Sequence, residues 1–123
     1  METNTIIDLI IKAAYQVHDE LGTGFTEKTY ENALMIALRD LGLGVRQQFP
    51  VKVFFREQVV GDFFADIIVS DTIIIELKTT SSLISEHQAQ LINYLAATRK
   101  QSGLLINFAK KGLEIKRAFF NPQ

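Results

Sequence analysis

The chain contains no cysteine and no tryptophan, only two prolines and only two histidines. Without cysteine there is no disulfide and no thiolate metal site. His18 and His87 alone are too few for an imidazole-built zinc centre. Hard cations held by oxygen, such as Mg²⁺ or Mn²⁺, are the metals this composition could still serve. Long apolar runs are missing as well, so no membrane-spanning segment is expected. A secretory leader is not expected either, because the N-terminal region carries Glu2, Asp8, Lys12, Asp19 and Glu20. A soluble, cytoplasmic protein follows as the expectation.

Net charge is also small, −1 over 123 residues, which argues against a strong non-specific nucleic-acid binder. Its distribution is uneven. Residues 1–40 hold seven acids (Glu2, Asp8, Asp19, Glu20, Glu27, Glu31, Asp40) against three bases. Residues 99–123 hold six bases (Arg99, Lys100, Lys110, Lys111, Lys116, Arg117) against Glu114 alone. Such asymmetry marks either a phosphate-facing surface or an ordinary solvated face. The hydrophobic fraction, 47%, is too high for disorder and suits one globular domain over 1–123.

The most informative stretch is 64–78. Two apolar, β-branched runs, Phe64–Val69 and Ile73–Leu77, flank the polar Ser70-Asp71-Thr72. This pattern predicts a hairpin of two buried strands. Asp66, Glu76 and Lys78 break the apolar pattern. Buried charge is costly unless it is paired or binds a metal, so the stretch carries either an active site or an ion-pair cluster. Register separates two geometries. A three-residue loop over 70–72 sets Val69 opposite Ile73 and Asp66 opposite Glu76. A two-residue loop at Ser70-Asp71 would turn Glu76 to the other face. Only the odd loop, or an equivalent bulge, converges two carboxylates and Lys78 on one face.

Around this hairpin the spacing predicts a helix over 3–21, with Ile6, Ile10, Ala13, Ala14, Val17 and Leu21 on one stripe and Gly22 as its stop. Thr26 is an N-cap candidate for a second helix over 27–41, whose stripe is Tyr30, Leu34, Ala37, Leu38 and Leu41. Glu27 falls in its first turn, where the helix dipole alone would favour a carboxylate. A strand follows over 45–55, with Pro50 pointing to an edge position or a bulge. The next strand begins at Val59 and bends at Gly61. A third helix is expected over 85–99, a buried strand over 103–108, a turn at Lys110-Lys111-Gly112 and a last strand over 115–120. Helix, helix, three strands, helix, two strands make an α+β architecture. Its mixed sheet combines an antiparallel meander with a crossover helix and a parallel strand, flanked by helices.

This order, with Asp66 and Glu76-Leu77-Lys78 on neighbouring strands, resembles the PD-(D/E)xK nuclease superfamily and its restriction-endonuclease-like fold. Gly24-Phe25-Thr26-Glu27-Lys28-Thr29-Tyr30 is similar to the G-x-x-E-x-x-Y signature of one small family within it, and Gly103–Phe108 to that family's late strand. The motif's proline is absent here, since Phe64-Ala65 precedes Asp66. The resemblance implies a Mg²⁺- or Mn²⁺-dependent nuclease acting on DNA. Asp66, Glu76 and the Leu77 backbone carbonyl would be metal ligands. Lys78 would orient the attacking water or meet transition-state charge, and Glu27 would complete the metal shell directly or through water. Gln90 and Tyr94 resemble the Q-x-x-x-Y pair of the exonuclease branch and share a helix face at i and i+4. His87 lies one turn before them and is read as a capping or surface residue, His18 as structural. The alternative is a catalytically weak nucleic-acid- or partner-binding module on the same fold. The small size also suits an enzyme that works as a homo-oligomer or with a protein partner.

Overall fold

The computed structural model describes residues 1–121. Its order is α1 (Thr3–Leu21), α2 (Glu27–Asp40), β1 (Val45–Phe55), β2 (Gln58–Val69), β3 (Ile73–Lys78), α3 (Ser85–Thr98), β4 (Ser102–Ala109) and β5 (Gly112–Phe119). The five strands form one sheet in sequence order, with β1 and β5 at its edges. β1, β2 and β3 pair antiparallel, β3 and β4 pair parallel across the α3 crossover, and β4 and β5 close as a hairpin. This is the mixed, helix-flanked α+β sheet expected from the sequence.

Local chemistry accounts for the boundaries. α1 ends at Gly22, whose φ of 75° only glycine adopts without strain, and whose N–H closes on the His18 carbonyl at 2.9 Å. Thr26 caps α2 by accepting from the Thr29 N–H at 3.4 Å. α3 starts without a hydroxyl cap. Ile84 is its N-cap, and the Ile84 N–H donates to His87 Nδ1 at 3.1 Å while the His87 N–H returns to the Ile84 carbonyl at 3.0 Å. His87 is therefore a capping residue. The last strand begins at Gly112, three residues earlier than the apolar pattern indicated, because Lys110-Lys111 alone make the turn.

Two apolar layers bury the sheet. α1 and α2 cover the face formed by Ile67, Val69, Ile73, Ile75, Leu77, Leu104, Ile106 and Phe108. α3 covers the face formed by Val51, Ala65, Ile68, Ile74 and Leu105 through Leu91, Tyr94 and Leu95. Alternation along β1 and β2 is broken at Gln48, and the register shifts again between Val53 and Phe54. Val45, Ile67 and Val69 face α1 and α2, whereas Phe49, Val51 and Ala65 face α3. The parity changes at Gln48, whose φ is 53°, opposite Asp66. Beyond this point β1 and β2 continue as an arm whose inner part packs on α3 through Phe49, Val51 and Phe63. Phe54, Phe55, Val59, Val60 and Phe64 on the arm are exposed. No helix of the described residues is long and apolar enough to cross a membrane.

Candidate active site

The β2–β3 ladder runs Val69↔Ile73, Ile68↔Ile74, Ile67↔Ile75 and stops. Ser70 and Asp71 adopt left-handed φ of 52° and 60° in the three-residue loop that sets this register. The next opposed pair is Asp66 and Glu76, and here side chains replace the backbone ladder. The Asp66 N–H donates to Glu76 Oε2 at 3.1 Å, and the Leu77 N–H donates to Asp66 Oδ2 at 2.7 Å. Each carboxylate stands in for a carbonyl of the neighbouring strand, so the strands part at the two acids. A strand residue's carbonyl points the same way as its N–H. The Leu77 carbonyl therefore faces this gap.

Glu76 is buried, and its carboxyl is pushed up to about 9, first by burial and then by the Asp66 carboxyl beside it; the Lys78 charge works the other way. Two carboxylates this close cannot both stay ionised cheaply. They keep a proton or gain a cation. An all-oxygen donor set of this kind fits a hard divalent ion, which retains several waters of its own. Lys78 is half-buried at the end of β3 and makes no ion pair among the described residues. The cluster is therefore not the closed salt bridge that the same residue types could have formed.

α3 brings Tyr94 over the acids. Tyr94 is nearly buried, and its hydroxyl is raised above the usual tyrosine range by burial first and by the Glu76 charge second. Gln90 Nε2 donates to the Tyr94 hydroxyl at 3.2 Å, joining the i, i+4 pair. Phe63 of β2 lies against Tyr94 with ring centroids 5.8 Å apart. The structure thus assembles Asp66, Glu76, Lys78, Gln90 and Tyr94 at one end of the sheet.

Glu27 falls in the first turn of α2, as its sequence position indicated. It is exposed there, and among the described residues no three His, Cys, Asp or Glu side chains lie close enough to share an ion. The carboxylate that α2 turns inward is Glu31, 3% exposed. It accepts from Lys28 Nζ at 3.0 Å, from Gln47 Nε2 at 2.7 Å and from Gln48 Nε2 at 3.3 Å. Gln48 is the residue opposite Asp66, so Glu31 is tied to the strand position beside the acid pair. A signal for it existed: positions 31, 34, 35 and 38 form a buried helical stripe, and Glu31 is the only charged residue in it. Tyr30 packs, as expected, but its hydroxyl serves the preceding loop. It donates to the Gly22 carbonyl at 2.6 Å and lies 3.4 Å from the Phe25 N–H, while the ring stacks on Phe108 at 4.3 Å.

The loop after Lys78 is also held. Asn107, level with Lys78 on β4, is fully buried. Its Oδ1 accepts from the Thr80 N–H at 2.9 Å, and its Nδ2 donates to the Thr80 carbonyl at 3.0 Å. Glu114 Oε1 accepts from the same Nδ2 at 3.3 Å and from the Leu83 N–H at 2.8 Å. The basic residues of the C-terminal part do not form one surface. Arg99 and Lys100 precede β4 and Lys110 and Lys111 follow it, which at strand rise separates them by roughly 25 Å.

Comparison with known proteins bears on the family and the fold. The model of a family described as the PD-(D/E)XK nuclease superfamily matches residues 4–118. No curated protein matches. Among solved structures, the crystal structure of SSO0001 superposes with a TM-score of 0.52 at 16% identity, covering 96% of this chain and 67% of the other. An alkaline exonuclease (LHK-Exo) from Laribacter hongkongensis superposes with a TM-score of 0.52 at 14% identity, covering 88% of this chain and 76% of the other. At such identities the likeness concerns the fold.

Proposed function

The chain belongs to the PD-(D/E)XK nuclease superfamily, and from that premise we propose that it hydrolyses phosphodiester bonds in DNA with Mg²⁺ or Mn²⁺. The observation that carries the reading is the opposed pair of Asp66 and Glu76 beside an unpaired Lys78. Asp66, Glu76 and the Leu77 carbonyl would hold the ion, which polarises a phosphate and acidifies a water when bound. Lys78, free of a carboxylate partner, orients the attacking water and offsets negative charge as it develops on the phosphate. Tyr94 and Gln90 close the α3 side, excluding water behind the acids and offering a donor to a phosphate oxygen. Glu31 holds β1 at Gln48 and so fixes the strand beside Asp66; Glu27, exposed one turn earlier, acts through water if it acts on the site. The whole chain serves as one nuclease domain, in the cytoplasm, within the branch marked by Gly24, Glu27 and Tyr30.

The test is cleavage of labelled single- and double-stranded DNA, linear and circular, and of RNA, across Mg²⁺ and Mn²⁺ concentrations. Glu76→Gln and Lys78→Ala run beside the parent protein. The expected result is metal-dependent cutting of DNA that each substitution lowers by at least about a hundredfold, the usual scale for losing a charge-stabilising group. Absence of cutting, or cutting that survives both substitutions, overturns the reading. It would favour the second one, a binding module, for which the exposed apolar arm of β1 and β2 is the specific support.

A further inference from the structure

We propose that the cleft between the α1–α2 loop, the loop after β3 and the β4–β5 turn binds a phosphate group of the nucleic acid strand next to the bond being cut. The proposal deepens the nuclease reading and rests on it. The cleft has a volume of about 510 Å³, room for a phosphate with its sugar and waters. Lys110 and Lys111 form one wall, Thr79, Thr80 and Ser81 another, and the exposed ring of Phe25 a third. No acid lines it.

Its position follows from the register. Thr79 directly follows Lys78, and Lys110 comes three residues after Asn107, which stands level with Lys78. The cleft therefore opens at the same end of the sheet as the catalytic lysine. Lys110 and Lys111 both line the cleft without a carboxylate partner among the described residues, and an anion bound there offsets their charge. Lysine serves phosphate as a compact charge with several donors. The Thr80 hydroxyl is spent on the Ser82 carbonyl at 3.0 Å, which leaves those of Thr79 and Ser81 for oxygens of a ligand.

The walls are fixed before any ligand arrives, which reduces the ordering cost of binding. Asn107 clamps Thr80 through both its N–H and its carbonyl, and Glu114 holds Leu83. That commitment also keeps Glu114 Oε1 occupied by the Leu83 N–H and the Asn107 amide. Phe25 leans edge-on against Tyr30 at 6.1 Å, and Tyr30 stacks on Phe108, so the aromatic wall is anchored in the core.

The ligand chemistry is a phosphate, presented either as a terminal phosphomonoester or as an internal phosphodiester. Fluorescence anisotropy in EDTA, at one fixed salt concentration, measures binding without cutting. The probes are a single-stranded DNA with a 5′-phosphate, the same strand with a 5′-hydroxyl, the same strand with a 3′-phosphate, and a circular single strand. Lys110→Gln/Lys111→Gln is compared with Lys12→Gln/Lys100→Gln, which removes equal charge outside the cleft. Removing two charge-assisted contacts should weaken binding by about tenfold or more. Loss confined to one phosphorylated end assigns the cleft to that terminus; equal loss on every probe, with the control pair unaffected, assigns it to an internal phosphate. No loss, or the same loss in the control pair, overturns the proposal. Cleavage by the parent protein is scored separately. A protein that never cuts but loses binding in the cleft variant refutes the nuclease reading while the cleft remains a phosphate site.

Discussion

Glu76 shows how a single residue couples stability to pH. Its carboxyl is pushed up to about 9 in the folded protein by burial, against the ordinary 4.5. Between these values the folded state binds more protons than the unfolded state, so stability falls as pH rises. Its contribution is complete below the unfolded value and lost as pH passes through the folded one. Thermal melts in EDTA should therefore show a melting temperature that declines across pH 5–9, and Glu76→Gln should flatten the decline. A slope unchanged by that substitution would place the titrating group elsewhere. Added Mg²⁺ competes with the same proton, so its stabilising effect should grow with pH.

The second residue-scale prediction separates the two glutamates of α2. Glu31 is buried and accepts from three side chains, whereas Glu27 is exposed. Glu31→Ala removes the buried acceptor shared by Lys28, Gln47 and Gln48 and should cost about 1 kcal/mol in denaturant unfolding. Glu27→Ala should stay within about 0.5 kcal/mol of the parent. The reverse order would mean that Glu27, not Glu31, anchors the helix to the site.

At the scale of elements, the position of α3 depends on how closely it approaches β4. A Cβ added at Gly103 would lie 3.0 Å from Leu91 Cδ1, 3.1 Å from Leu91 Cδ2 and 3.2 Å from the Ile74 carbonyl oxygen. The carbonyl belongs to the adjacent central strand and cannot retreat. Leu91 is fully buried and can move only by moving the helix. Gly103→Ala should thus cost about 1–3 kcal/mol by overpacking. Because α3 carries Gln90 and Tyr94, the substitution should also lower cleavage although no reacting group changes. Full activity in a destabilised Gly103→Ala protein would show that the helix position is not critical.

For the molecule as a whole, the β1–β2 arm is a surface on which several large apolar side chains are exposed. Phe54, Phe55 and Val60 are 61%, 59% and 63% exposed, so they contribute little to the core and much to contact with other molecules. Phe54→Thr with Val60→Thr should leave the unfolding free energy within about 1 kcal/mol of the parent. It should reduce any concentration-dependent association seen by sedimentation. A large loss of stability instead would show that the arm is an integral part of the fold.

Much of this architecture is legible in the chain itself. Apolar periodicity, Gly22 and Thr26 delimit α1 and α2, because helix ends are set by local chemistry. The odd loop at Ser70-Asp71-Thr72 makes Asp66 and Glu76 partners, because strand period and loop length fix register. Spacing alone also puts Gln90 beside Tyr94. What the sequence determined by itself is therefore everything that depends on neighbours along the chain. Tertiary structure decided the rest. It turned Glu31 inward and left Glu27 in water, since burial depends on which helix face meets β1. It changed the parity of the sheet at Gln48, and it drew Thr79, Phe25 and Lys110 from three separate loops to one cleft. It also split the basic C-terminal residues between the two ends of β4. Distances across the sheet depend on packing between elements far apart in sequence, and no local pattern records them.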